Sequence, residues 1–274
     1  MMLITANELN GCLKSTVVLD ASWHMPDAGR DPQAEYEAGH IPGALRFDID
    51  KIADTSSDLP HTLPTPEAFG KMVGALGISN DSEIVIYEQE GLFAAPRVWW
   101  MFRVMGHQAK ILKGGLAAWK GAGYPLETGP GRKPFPATFT AIFQKEQFAD
   151  ADTVAKSLKR DANVADARGA ERFFGRAPEP RPGVRAGHMP GAKNVPYTAL
   201  LDAQGNIKPD EEVRKTFEAA GVDLDRPVIT TCGSGVTASI LALALCNVGT
   251  EAAVYDGSWT EWGSDEKRPV VTDE

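Results

Sequence analysis

The feature that most constrains this chain is that it repeats itself. The segments VVLDASW (Val17–Trp23), AGHIPGA (Ala38–Ala44), EIVIYE (Glu83–Glu88) and LKGGLAAW (Leu112–Trp119) occupy the first half. They are answered in the same order by NVADAR (Asn163–Arg168), AGHMPGA (Ala186–Ala192), PVITTC (Pro227–Cys232) and YDGSWTEW (Tyr255–Trp262). Four matched segments at matched spacing imply two copies of one structural unit. A length of 274 residues with 43% hydrophobic composition allows one large domain or two ordinary ones, and the repeat selects two. The expected domains are 1–123 and 146–274, with a linker at 124–145 that opens on YPLETGPGRKPFP, dense in Pro and Gly.

Within each half, short apolar runs such as VVL, IVIY, VIT and AAVY alternate with helical stretches such as Pro66–Leu76 and Ser239–Cys246. That alternation predicts an α/β fold of parallel strands joined by crossover helices. Ligands of such sheets sit at the carboxyl ends of the strands. Cys232 follows the strand PVITT and precedes the apolar run SILALALC, so it falls in a strand-to-helix turn.

Twenty-eight Lys and Arg against 37 Asp and Glu give a net charge of −9, which argues against sequence-independent binding to nucleic acid or to an anionic membrane. No stretch approaches the roughly 20 apolar residues needed to span a bilayer. Met1–Lys14 lacks the basic start and long apolar run of a signal peptide. The three cysteines, Cys12, Cys232 and Cys246, have no C-x-x-C spacing, so neither a disulfide framework nor a metal site is expected. A reducing, cytoplasmic location fits this usage. Cys246 lies among Leu and Ala and reads as apolar filling, and Cys12 has no chemical context.

The loop Cys232-Gly233-Ser234-Gly235-Val236-Thr237 carries the chemistry. Gly233 and Gly235 permit the positive φ angles of a ring of inward-facing amides, which forms an anion site. A helix starting near Thr237 adds its free N–H groups and dipole to the same field. Two or three such amides favour a thiolate on Cys232, and Ser234 is placed to donate to the sulfur or to a substrate oxygen. Cysteine phosphatases use a similar loop, but they end it with an Arg that clamps phosphoryl oxygens. Ala238 stands at that position here, which leaves phosphoester hydrolysis a minor alternative. A non-enzymatic persulfide or redox-sensing module is a second alternative built on the same cysteine.

The two halves, the paired AGH-x-PGA segments, PRVWWMF (Pro96–Phe102), CGSGVT and YDGSWTEW together resemble the rhodanese superfamily. The resemblance extends over essentially the whole chain and is most specific to its two-domain sulfurtransferases that use 3-mercaptopyruvate. It implies two tandem rhodanese-like domains, each a five-stranded parallel sheet flanked by helices, with a catalytic cysteine in the second alone. Glu88 occupies the matching place in the first half, and a carboxylate cannot carry a sulfane sulfur. Relatives that use thiosulfate resemble CRKGVT, with two cations for a dianionic donor, whereas Gly233 and Ser234 are uncharged and suit a monoanion. The resemblance also places two arginines of ERFFGRAPEPRPGVR (Glu171–Arg185), Arg172 and Arg181, on the donor. Glu171 departs from the family's Gly, and Arg176 and Arg185 carry no implied role and read as solvated loop. Asp31 and His40 are the nearest matches to an acid and a His that the family draws from its first domain. His40 and His188, though, precede the same PGA turn in both halves, which favours a structural part. Trp99, Trp100, Trp119, Trp259 and Trp262 read as packing.

The implied reaction passes a sulfur from 3-mercaptopyruvate to Cys232 as a persulfide, with release of pyruvate. A thiol acceptor such as thioredoxin, or cyanide in an assay, then removes the sulfur. No metal or organic cofactor is called for. Cys232, Ser234, Arg172, Arg181, Gly233, Gly235, Val236 and Thr237 make up the expected site.

Overall fold

Residues 2–160 and 163–272 are described by a computed structural model. Met1 of the expected first domain and Asp161, Ala162, Asp273 and Glu274 of the second lie outside them. The chain forms two compact units. The first takes Met1–Thr55, Leu63–Gln144 and Ala203–Asn206, and the second takes Ser56–Thr62, Lys145–Asp202 and Ile207–Glu274.

In the first unit five strands, β1 (Leu3–Ile4), β2 (Thr16–Asp20), β3 (Leu45–Arg46), β4 (Glu83–Tyr87) and β5 (Lys110–Leu112), form one sheet in the order β1-β5-β4-β2-β3. The second unit repeats that order as β6-β10-β9-β7-β8, from β6 (Phe148–Ala149), β7 (Val164–Asp166), β8 (Lys193–Asn194), β9 (Val228–Thr231) and β10 (Ala252–Tyr255). Every pairing within these sheets is parallel. The expected α/β class and the five-stranded sheets are therefore present in both units.

Apolar runs form the central strands because helices cover both faces of a parallel sheet, so alternation with polar residues disappears. Ile84–Tyr87 are all buried in β4, and Val164–Asp166 in β7. The helix Ala238–Asn247 is buried continuously from Ala238 to Leu245, as an apolar sequence without a polar face requires. Trp99, Trp100, Trp119, Trp259 and Trp262 are each no more than 1% exposed. Among the described residues, no helix is long and apolar enough to cross a membrane.

The Pro- and Gly-rich stretch after residue 123 is extended, but it is pinned along the first unit. Ala137 N–H donates to Gly74 O, Ile142 N–H to Met105 O, and Gln144 N–H to Val104 O. Gly70 and Gly74 make room for it, since a Cβ at either would stand 2.5 Å from a carbonyl oxygen of Phe139 or Ala137. Phe139 then enters the core edge-on to Phe69 and Phe102. Backbone pairing and one buried ring hold down a segment that its composition alone reads as free.

Candidate active site

Cys232 stands directly after β9 and is 2% exposed. Its backbone is held on both sides. The N–H donates to Ser258 Oγ at 3.2 Å, and its carbonyl accepts from Trp259 N–H at 3.0 Å. Gly233 O accepts from Thr260 N–H at 2.8 Å and from the Thr260 hydroxyl at 2.6 Å. The turn after β10 therefore clamps the first two residues of the loop. Thr237 is the N-cap and the helix begins at Ala238, one residue after the expected start.

Gly235 N–H reaches the sulfur at 3.1 Å, and Gly235 adopts φ 80°. The expectation for Gly233 is corrected, because Gly233 is not among the residues with positive φ. Its lack of a side chain serves a close approach instead: a Cβ there would lie 3.2 Å from Arg172 Nη2. Among the described residues Gly235 N–H is the amide that donates to the sulfur, where two or three were expected. Val236 is buried, while Ser234 and Thr237 are half-buried.

Arg172 reaches the loop from the short helix Ala170–Phe173, and its guanidinium is held by Glu179, with Nε to Oε1 at 3.3 Å and Nη2 to Oε2. Glu179 also accepts from Arg168 Nη1 at 2.8 Å, and Arg168 Nη2 pairs with Asp166 Oδ2 at 2.8 Å. Asp166 and Arg168 are buried, and the Glu179 side chain is 4% exposed. An alternating line of charges thus runs from the end of β7 to the cysteine loop. Arg168 also lies over the Trp259 ring at 4.3 Å, beneath the turn that holds Cys232.

The other arginines separate by environment. Arg181 is half-buried two residues beyond Glu179. Arg176 pairs with Glu171 at 3.0 Å on the surface and rests on the Phe174 ring, so Glu171 serves Arg176 and not Arg172. Arg185 corrects the solvated-loop expectation. It is half-buried and donates to the carbonyls of Trp262, Gly263, Asp265 and Arg268, tying its loop to the end of the chain.

Asp31 is the exposed N-cap of the helix Pro32–Ala38 and accepts from Gln33 and Ala34 N–H. His40 is fully buried, stacked on Tyr36 with Nδ1 2.8 Å from Tyr36 O. His188 repeats that arrangement on Phe173, with Nδ1 3.0 Å from its carbonyl. Both histidines brace the same turn. Ser258, Glu179 and Arg168 were not singled out in the sequence. The first could have been found by aligning the halves, where Ser258 stands against Gly115.

The first unit shows what the same turn becomes without the thiol. Glu88 follows β4, and its carbonyl accepts from Leu116 N–H as that of Cys232 does from Trp259. Its carboxylate accepts from Phe93, Ala94 and Ala95 N–H at 2.7, 3.0 and 3.1 Å, ahead of the helix Ala95–Val104. The chain fills this anion site with its own side chain. Burial pushes the Glu88 carboxyl up to about 7, against these three amides and with Asp20 adding repulsion. The native state therefore holds this proton more tightly than the unfolded chain. Its contribution to stability is greatest below the unfolded value of 4.5 and falls as pH rises toward about 7, by up to about 3 kcal/mol at 1.36 kcal/mol per pKa unit. Glu88→Gln is expected to flatten that part of the profile. Urea unfolding at about pH 5 and about pH 8 measures it, and an unchanged difference between the two would discard the assignment.

The rhodanese-like domain family matches residues 6–122 and again residues 150–265. The human protein called 3-mercaptopyruvate sulfurtransferase is 44% identical, over 89% of this chain and 84% of its own length. A protein of Arabidopsis thaliana called thiosulfate/3-mercaptopyruvate sulfurtransferase 1, mitochondrial, is 42% identical over 92% of this chain and 73% of its own. The crystal structure of SseA from Escherichia coli, described as a 3-mercaptopyruvate sulfotransferase with the rhodanese fold, superposes with a TM-score of 0.85 at 37% identity. It covers 94% of this chain and 99% of that one.

Proposed function

We propose, since this chain belongs to the rhodanese family, that it moves sulfur from 3-mercaptopyruvate to a thiol through a persulfide on Cys232. Two rhodanese-like domains and relatives above 40% identity over most of the chain make it a sulfur-transferring enzyme. The observation that carries the finer reading is Cys232 at the end of β9, with Gly235 N–H 3.1 Å from its sulfur and the Arg172 guanidinium against Gly233.

In the proposed reaction the Cys232 thiolate attacks the donor's sulfur while Arg172 and Arg181 hold its carboxylate and keto group. A sulfur–sulfur bond forms and the carbon–sulfur bond breaks. The electron pair of the broken bond passes to carbon as pyruvate enolate. The proton carried on the transferred sulfur then moves to the enolate carbon, by way of Ser234, giving pyruvate and a persulfide anion. The part-exposed Ser234 hydroxyl has no protein partner among the described residues, which leaves it available for that step. An acceptor thiolate such as that of thioredoxin, or cyanide in an assay, attacks the outer sulfur and restores the Cys232 thiolate. The remaining loop residues, Gly233, Gly235, Val236 and Thr237, shape the pocket around the donor. The cap made by Asp31 and the stacked, buried setting of His40 support structural parts for both. A cytoplasmic setting goes with a thiolate that must remain reduced between turnovers, although one relative carries a mitochondrial designation.

Thiosulfate is the second reading of the donor, favoured by the double name of the Arabidopsis relative. The deciding experiment gives the purified protein either donor with cyanide and follows thiocyanate and pyruvate together. Equal yields of pyruvate and thiocyanate, with the higher kcat/KM on 3-mercaptopyruvate, are expected. Turnover of thiosulfate without pyruvate from the other donor would reverse the assignment, and a persulfide that forms but does not turn over would indicate a sensing module.

A further inference from the structure

We propose that Glu179 sets the charge of donor this site accepts, by presenting Arg172 to the Cys232 loop as one half of a neutral ion pair. The inference rests on the sulfurtransferase reading above and extends it to a residue that touches neither the sulfur nor the loop.

Two contacts define what Arg172 offers. Its Nε and Nη2 are both taken by Glu179, while Nη1 has no protein partner among the described residues. Nη2 also approaches Gly233 to the 3.2 Å that a Cβ there would feel. The guanidinium is therefore fixed in plane and position over the loop, with the Nη1 edge left for a ligand. Glu179 is fixed in turn, because its second guanidinium partner, Arg168, is anchored on buried Asp166 and on Gly187 O.

The four ions alternate in sign and sum to zero. Three of the four are buried and the Arg172 side chain is 30% exposed, so removing the Glu179 carboxylate leaves an uncompensated cation whose added field at the loop is that of one partly solvent-screened charge. A carboxylate with a single charge needs one oriented donor edge and little net field. Thiosulfate carries two charges and expels sulfite, so it gains far more from an uncompensated cation. On this account the uncharged Gly233 and Ser234 are half of the discrimination, and the neutralised Arg172 is the other half. A side chain built at Gly233 would stand 3.2 Å from the guanidinium that Glu179 holds there, so the guanidinium would have to give by a few tenths of an ångström to admit it.

The test compares the purified full-length protein with Glu179→Gln and Glu179→Asp, using cyanide as acceptor and kcat/KM for 3-mercaptopyruvate and thiosulfate. Glu179→Gln removes the charge and keeps a hydrogen-bonding side chain. It is expected to move the donor ratio toward thiosulfate by about tenfold, mostly through the thiosulfate KM, and the gain should shrink as salt is raised. Glu179→Asp keeps the charge one methylene further back, so it should slow both donors alike and leave their ratio within about twofold of wild type. A folded Glu179→Gln that loses both donors in proportion would reduce Glu179 to a structural brace and overturn the proposal. If Glu179→Gln does not fold, Glu179→Asp decides alone: a ratio that moves toward thiosulfate with the charge retained overturns it, and a held ratio supports it. A wild type that releases no pyruvate from 3-mercaptopyruvate would end the proposed function and this inference together, whereas an active wild type with an unmoved ratio in Glu179→Gln ends only the inference.

Discussion

Cys232→Ser is expected to fold as the parent does, to gain no sulfur on exposure to 3-mercaptopyruvate, and to show no sulfur transfer above background. A serine hydroxyl at this position is neither ionised near neutral pH nor able to form the sulfur–sulfur bond that stores the transferred atom. Folding is expected to survive because the substitution changes one atom, and the Gly235 N–H that donates to the sulfur can donate to the hydroxyl instead. Intact-mass measurement before and after donor treatment reads the outcome directly, since wild type alone should gain one sulfur. Turnover by a folded Cys232→Ser would remove the nucleophile from the proposed mechanism. Cys246 provides the contrast. It lies near the end of the helix Ala238–Asn247, so Cys246→Ser should keep most activity.

Arg172→Ala has the next largest expected effect, a fall in kcat/KM on 3-mercaptopyruvate of about tenfold to a hundredfold, from a charge-assisted hydrogen bond worth about 1.5 to 3 kcal/mol. Part of the loss is positional, because the guanidinium packs against the loop at Gly233. The substitution also leaves the nearly buried Glu179 with Arg168 as its remaining guanidinium partner, and a buried carboxylate that loses a cation destabilises the fold. Thermal unfolding must therefore accompany the kinetics, so that lost stability is not scored as lost binding. Arg176→Ala is the matched control. Its pair with Glu171 is exposed on both sides and contributes little, so activity should stay near wild type. Equal and small effects at both positions would return Arg172 to the class of surface loop arginines.

The strands that the sequence made legible are the long central ones. Thr16–Asp20, Glu83–Tyr87 and Val228–Thr231 each carry enough consecutive apolar or β-branched residues to stand out from their turns. The edge strands Leu3–Ile4, Leu45–Arg46, Phe148–Ala149 and Lys193–Asn194 have two residues each. No periodicity can be read from two residues, so the count of five strands came from resemblance. Cys232 was legible because a strand, two glycines and an apolar helix follow one another in sequence. Gly233 was misread because a glycine can answer either a positive φ or a close neighbour, and the neighbour, Arg172, comes from a different segment. Ser258 bonds an amide 26 residues away, and Glu179 holds a guanidinium seven residues before it. Neither contact leaves a local pattern, since each depends on how the chain folds back on itself.

The two turns that follow β5 and β10 also determine whether the first half could hold a nucleophile as the second holds Cys232. Ser258 adopts φ 51°, a left-handed conformation that costs a non-glycine residue about 1 to 2 kcal/mol, and its hydroxyl holds the Cys232 amide. Gly115 takes the same turn at φ 54° with no side chain, and a Cβ there would stand 2.4 Å from the Glu88 carbonyl oxygen. Glu88→Cys alone would supply a thiol without the hydroxyl that fixes its backbone. Gly115→Ser alone would supply the hydroxyl by forcing the strand end aside. Neither substitution alone reproduces a strand-end residue whose amide is held by a hydroxyl from the turn, so a thiol with the Cys232 setting would require both changes and room for the Cβ at position 115.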